Sequence, residues 1–195
     1  LSAATILRAA LQTWPDHLPW LLLDADVALA QGDTDRAHLR LSQACDLRPS
    51  NLPYIQRLAA LEISQGRPES AKARLSSAID PSAPPSLWVS LADAHLALLD
   101  EQSALQSLFT CMDFHPINPD CQRSLTLLVL ARANATPSNE ASLSQLIKSL
   151  SDHPAVLVDV WRSLREVQPD RAEKLRELIL LQQPHLSERL AGGLH

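Results

Sequence analysis

The stretch WLLLDADVALAQGDTDRAHLRLSQACDLRPSN, Trp20 to Asn51, decides the fold. From Trp20 to Ala30 apolar residues recur at helical spacing, and Gly32 interrupts the pattern where a left-handed residue suits a helix end. Asp33 or Thr34 can cap a second helix, running from about Asp35 to Asp46. Along it Ala37, Leu41 and Ala44 fall at i, i+4 and i+7 on one face, and the small residues at either end admit a close neighbour. Pro49 ends the pair, and a fresh helix starts beyond Asn51. Neither helix can bury its apolar stripe alone, so pairs of this kind must stack.

The same pattern continues in both directions. Ala3, Ala37, Ala71 and Ala104 are 34, 34 and 33 residues apart, and Leu7, Leu41, Leu75 and Leu108 keep those steps. A further ladder is Ala10, Ala44, Ala78 and Cys111; another is Pro15, Pro49 and Pro116, with Ala83 in the third place. Gly32 and Gly66 are also 34 apart. Composition agrees: 38 Leu and 26 Ala favour helix, while 4 Gly leave little for glycine-rich phosphate loops. The 14 Pro are expected between helices rather than inside them.

A 34-residue helix–turn–helix with these residues resembles the tetratricopeptide repeat. The fullest match is 85–118, with Trp88, Leu91, Ala92, Ala104, Leu108, Cys111 and Pro116 at the family's spacing. Residues 18–51 and 52–84 form two more repeats, 119–152 and 153–184 two degenerate ones. Residues 1–17 supply only the second helix of a truncated repeat, as though the chain opened in mid-repeat, and 185–195 start a capping helix or a tail with Gly192 and Gly193. An irregular turn is expected from Ala133 to Pro137, then a displaced helix from about Asn139 to Leu150. Beyond it, Ala172, Ile179 and Pro184 recover the register, with Arg176 where an apolar residue is usual. The resemblance implies an all-α, right-handed α-solenoid of antiparallel helix pairs, one superhelical domain.

It also implies that the first helix of each pair lines a concave groove. Mapped onto this chain, the groove positions are Leu22, Asp26 and Leu29; Gln56, Arg57 and Ala60; Val89, Asp93 and Leu96; and Asp120, Arg123 and Leu127. That mixture suits a peptide or protein segment. The carboxylate clamp of one family branch does not fit. It needs Lys and Asn where this chain has Leu22 and Asp26, Asn where it has Arg57, and Lys and Arg where it has Ser86 and Ser90. A shift by one repeat meets Gln56, Ala60, Ser90, Asp120 and Ser124, which fails too.

Charge narrows the partner. No Lys or Arg occurs between Arg74 and Arg123, whereas Asp80, Asp93, Asp100, Glu101, Asp113 and Asp120 do. With Asp26 these acids make a surface suited to a basic stretch on the partner. The net charge of −5 lacks the basic footprint of nucleic-acid binding, and no apolar run is long enough for membrane insertion. Cys111, His115 and Cys121 could be drawn as metal ligands, or the two cysteines as a bridge. Cys111 nonetheless holds a small core position and no fourth ligand stands out, so no metal or cofactor is expected. Asp24 and Asp26 point to different sides of one helix, and no nucleophile–base constellation supports catalysis. His95, Trp88 and Trp161 are expected to pack.

The expected role is therefore a non-catalytic interaction scaffold, one module of a larger protein. The alternative is a regulatory or substrate-positioning arm of an enzyme or secretion protein, such as a glycosyltransferase or a bacterial polysaccharide-export system. The 14 Arg against 3 Lys hint at a bacterial source, in the cytoplasm or, within a secretion system, the periplasm. Self-association is expected through residues 1–17, whose inner face lacks a partner helix.

Overall fold

A computed structural model describes residues 3–135 and 140–191, all of the regular elements there being helical. The chain divides into two compact units, 1–107 and 108–195.

The first unit holds α1 (Ala3–Thr13), α2 (Leu18–Ala30), α3 (Thr34–Leu47), α4 (Leu52–Ser64), α5 (Pro68–Ala78), α6 (Pro85–Ala97) and the opening half of α7 (Glu101–Phe114). Each helix from α1 to α6 packs on the next, and α4 also packs on α6. The ladder residues form the core: Ala37, Leu41, Ala44, Ala71, Leu75 and Ala104 are fully buried. Leu21, Leu58 and Leu87 answer them from α2, α4 and α6. Burying each such leucine is worth about 2 kcal/mol. Trp88 and, in the second unit, Trp161 are buried, as expected.

Turn chemistry sets the helix ends. After α2, α4 and α6 a left-handed residue closes the helix: Gly32 (φ 73°), Gly66 (φ 72°) and Leu99 (φ 59°). In each case the following amide donates five residues back, Asp33 to Ala28, Arg67 to Glu62 and Asp100 to His95. Asp33 then caps α3 by accepting from the Arg36 amide at 3.1 Å, and Asp100 caps α7 through the Ser103 amide at 3.1 Å. Asn51 does the same for α4 and Asn118 for α8 (Pro119–Ala135). Pro15, Pro49, Pro81, Pro84 and Pro116 lie between helices as expected, but seven other prolines depart from that expectation. Pro19, Pro53, Pro68, Pro85, Pro119, Pro154 and Pro169 sit in first turns, where the missing amide has no partner to lose.

Two carboxylates are buried inside this unit, each against an arginine of the next helix. Asp24 of α2 accepts from Arg40 Nε at 2.8 Å, with Arg36 Nε at 3.7 Å. Glu62 of α4 accepts from Arg74 Nη2 at 2.8 Å and lies 3.4 Å from His38 Nε2. Arg40 and Arg74 are 34 residues apart, so the repeat places the same cation twice.

The second unit takes the rest of α7, then α8, α9 (Glu140–Ser149), α10 (Pro154–Val167), α11 (Pro169–Gln182), a 3₁₀ turn at Pro184–Leu186 and α12 (Ser187–Ala191). Here α8 packs on α10, α10 on α11 and α11 on α9. Helix α8 continues to Ala135, through the start of the turn expected at Ala133, because no Gly or Pro intervenes before Pro137. The rest of that expected turn, 136–139, lies outside the described residues, as do Gly192 and Gly193. On α9 and the residue after it the i, i+4, i+7 set returns as Leu143, Ile147 and Leu150, all buried. On α11 Ala172, Leu175 and Ile179 are buried, and Arg176 turns outward to Glu173 at 2.9 Å. The awkward arginine is therefore no core residue. Cys111 and Cys121 are fully buried and joined by a disulfide, Cα–Cα 6.2 Å.

Candidate partner-binding face

In the first unit the groove positions lie on α2, α4 and α6. Hydrogen bonds join them across helices. Asp26 of α2 pairs with Arg57 of α4. Gln56 of α4 donates to Ser86 O at 3.1 Å and to Ser90 Oγ at 2.9 Å on α6. These contacts link three successive first helices, and three of the expected residues, Asp26, Gln56 and Arg57, make them.

Asp93 behaves differently. It is exposed, and among the described residues it has no hydrogen bond or ion pair, yet burial pushes its carboxyl above the usual carboxylate range. Leu22 and Val89 are half-buried beside the core, and Ala60 is exposed. Leu29 and Leu96 show 41% and 37% of their surface. This face is aliphatic, with one compensated acid (Asp26) and one uncompensated acid (Asp93). Only part of the acidity expected from the sequence is therefore free.

Asp80 and Asp100 are held below the usual range by hydrogen bonds from Ser82 and Ser103. They serve turns and caps. His95 is half-buried, its Nδ1 3.7 Å from the Asp100 carboxylate, and burial lowers its pKa more than Asp100 raises it.

In the second unit Arg123 and Leu127 line a cleft of about 360 Å³ between α8 and α10, with Gln122, Thr126, Leu130, Asp159 and Ser163. Leu127 is 61% exposed, and Arg123 is exposed with no ion pair among the described residues. Asp159 accepts from Gln122 Nε2 at 2.5 Å and from Arg162 at 2.9 Å. Its charge is thereby taken up by Arg162 on its own helix and by Gln122 from α8. Asp120 is exposed one turn before Arg123 and does not line the cleft.

The sequence reading missed Asp159, Arg162 and Ser163. A signal was present: Pro154 opens α10 as Pro119 opens α8, and counting from it assigns Asp159 and Arg162 to the face. Leu23, 49% exposed on α2, was missed too. Among the described residues, no group of three or more His, Cys, Asp or Glu is arranged to hold a metal. No described helix is long and apolar enough to cross a membrane.

The family model of the tetratricopeptide repeat matches residues 28–92, about a third of the chain. No curated protein matches the sequence. Among solved structures the fold is similar to that of MamA (TM-score 0.52, 15% identity, 88% of this chain and 94% of that one). It is similar to YrrB, a tetratricopeptide-repeat protein with an unusual peptide-binding site (TM-score 0.52, 13% identity, 97% and 98% covered). A third is the C-terminal part of a repeat-containing protein from Cytophaga hutchinsonii (TM-score 0.56, 13% identity, 91% and 73% covered). At these identities the likeness is one of fold.

Proposed function

We propose that this chain, whose residues 28–92 carry tetratricopeptide repeats and whose fold is that of tetratricopeptide-repeat proteins, is a non-catalytic scaffold that holds a peptide or protein segment. The α2–α4–α6 face would take aliphatic side chains on Leu29, Ala60 and Leu96 and one cation against Asp93. The observation that carries this reading is Asp93: an exposed carboxylate whose pKa burial raises and which has no cation beside it among the described residues. A lysine or arginine from a partner supplies the missing charge where solvent screens poorly. The peptide-binding site of YrrB, a protein of like fold, supports a groove of this kind.

Selection of random displayed peptides on the immobilised chain tests it. The selected pool is expected to be rich in Lys and Arg beside aliphatic residues. Asp93→Lys should weaken such peptides about 10-fold, near 1.4 kcal/mol, with a loss of the same sign as ionic strength rises. A pool with no cationic bias, unchanged by Asp93→Lys, sinks the assignment.

Self-association through residues 1–17 is a second reading, supported by Ile6, 57% exposed on α1, and by Trp14, 56% exposed just beyond its end; Leu7 and Leu11 of the same helix are buried. Sedimentation of the chain against Ile6→Asp tests it; a monomer at every concentration in both dismisses it.

A further inference from the structure

The sulfur pair occupies a place that the repeat itself defines. Toward the end of each second helix stands a small residue, and nine or ten residues later a bulky one opens the next first helix. The pairs are Ala10 and Trp20, Ala44 and Tyr54, and Ala78 and Leu87. The helices carrying them pack on one another, α1 on α2, α3 on α4 and α5 on α6. Ala78 and Leu87 share one apolar cluster. Cys111 and Cys121 are the next members of that series. Both are 0% exposed, and their Cα atoms lie 6.2 Å apart, within the span a disulfide needs. Two sulfurs thus stand where the preceding junction has the small-against-large pair Ala78 and Leu87.

We propose that Cys111 and Cys121 are a thiol–disulfide modification site, closed by exchange with an external disulfide of the glutathione class, and that the bridge replaces the packing contact which holds the other junctions. In the first step one cysteine thiolate attacks a sulfur of the external disulfide and releases one external thiol. The second cysteine thiolate then attacks the mixed disulfide and releases the other. The two cysteines lose two protons and two electrons, and the external disulfide is reduced to two thiols. Since both sulfurs are shielded in the closed form, exchange takes place before α8 seats against α7 or during its local opening. Cys45 stays out of the exchange: it is buried on α3, and burial pushes its thiol pKa up. The bridge closes in an oxidising compartment and stays open in a reducing cytoplasm. Cys121 lies two residues before Arg123, so closure also fixes the helix that lines the α8–α10 cleft, a consequence that rests on the proposed binding face.

The test compares the full chain refolded with glutathione disulfide and with a phosphine reductant. Intact and peptide mass should show the loss of two hydrogens, confined to Cys111 and Cys121. Amides of α8 should exchange at least about 10-fold more slowly in the oxidised chain, as a short closed loop predicts. The double variant Cys111→Ala, Cys121→Leu rebuilds the Ala78–Leu87 pairing. It should show oxidised-like protection of α8 and no response to either reagent. The proposal is overturned by any of three results: two free thiols after oxidation or a bridge to Cys45, equal α8 exchange in both redox states, or a double variant as unprotected as the reduced chain. Mass and exchange need no ligand, so failure here leaves the binding reading standing, and failure of peptide selection leaves these outcomes intact.

Discussion

In residues 1–107 every turn within a helix pair is closed by a left-handed residue, and two helix pairs are pinned by buried carboxylate–arginine contacts. In residues 108–195 the devices differ. There α10 passes to α11 through the single residue Gln168 ahead of Pro169, and a disulfide ties α7 to α8. The core of α10 is Val156, Leu157, Val158, Val160, Trp161 and Leu164, with no alanine among them. Where the sequence ladder is regular, local turn chemistry and matched charges set the packing. Where it lapses, bulkier apolar residues and a covalent link do that work. The lesson is that a repeat stack needs each pair covered by its neighbour, and several chemistries meet that need.

The largest expected effect concerns the core. Leu58→Ala removes a fully buried side chain from α4 and should cost about 3 kcal/mol in urea unfolding. Amide exchange should quicken in residues 1–107 far more than in 108–195; equal quickening would break the division into two units. Next comes the buried pair of α2 and α3. Arg40→Leu leaves the Asp24 carboxylate buried with only the more distant Arg36 and should cost about 2 kcal/mol, much of it recovered when Asp24→Leu is added. A double variant as unstable as the single one would show that the charges themselves are required.

The turns give a smaller effect of opposite sign. Leu99 adopts φ 59° where its counterparts are glycines, and it is 93% exposed. Leu99→Gly should therefore raise stability by about 1 kcal/mol, or roughly 2–4 °C in melting temperature. Gly66→Leu should lower stability by a similar amount, since open space surrounds the added Cβ and only backbone strain opposes it. Unchanged melting in both variants would remove turn strain from the comparison.

The smallest effect is a pH dependence. Burial depresses the folded pKa of His95 below its ordinary 6.5, so its contribution to stability is full above that value. That contribution is lost as pH falls through the folded pKa, because the unfolded chain takes the proton more readily. His95→Gln should flatten this part of the acid limb of the unfolding profile for residues 1–107. Superimposable profiles would show that His95 stays solvated.

Much of this was legible because a helix pair is a local object. Ala37, Leu41 and Ala44 reveal their shared face from spacing alone, and Gly32 and Asp33 announce the turn. On the proposed binding face, sequence spacing assigns residues to helices but not their charge partners. Spacing put Asp26, Arg57, Gln56 and Asp93 on first helices, but not the pairing that satisfies Asp26 and leaves Asp93 alone. The buried partners of Asp24 and Glu62 escaped because each lies 12 or 16 residues away, a distance bridged only when helices fold back on one another.

The sequence by itself determined the helices, their order and their apolar stripes, since those depend on propensity and on periods of a few residues. Which charges cancel, which cysteines meet and which leucines stay uncovered was decided by tertiary structure alone. Those outcomes depend on the rotation of one helix against the next, and a turn of a single residue about the axis exchanges Leu175 for Arg176 in the core.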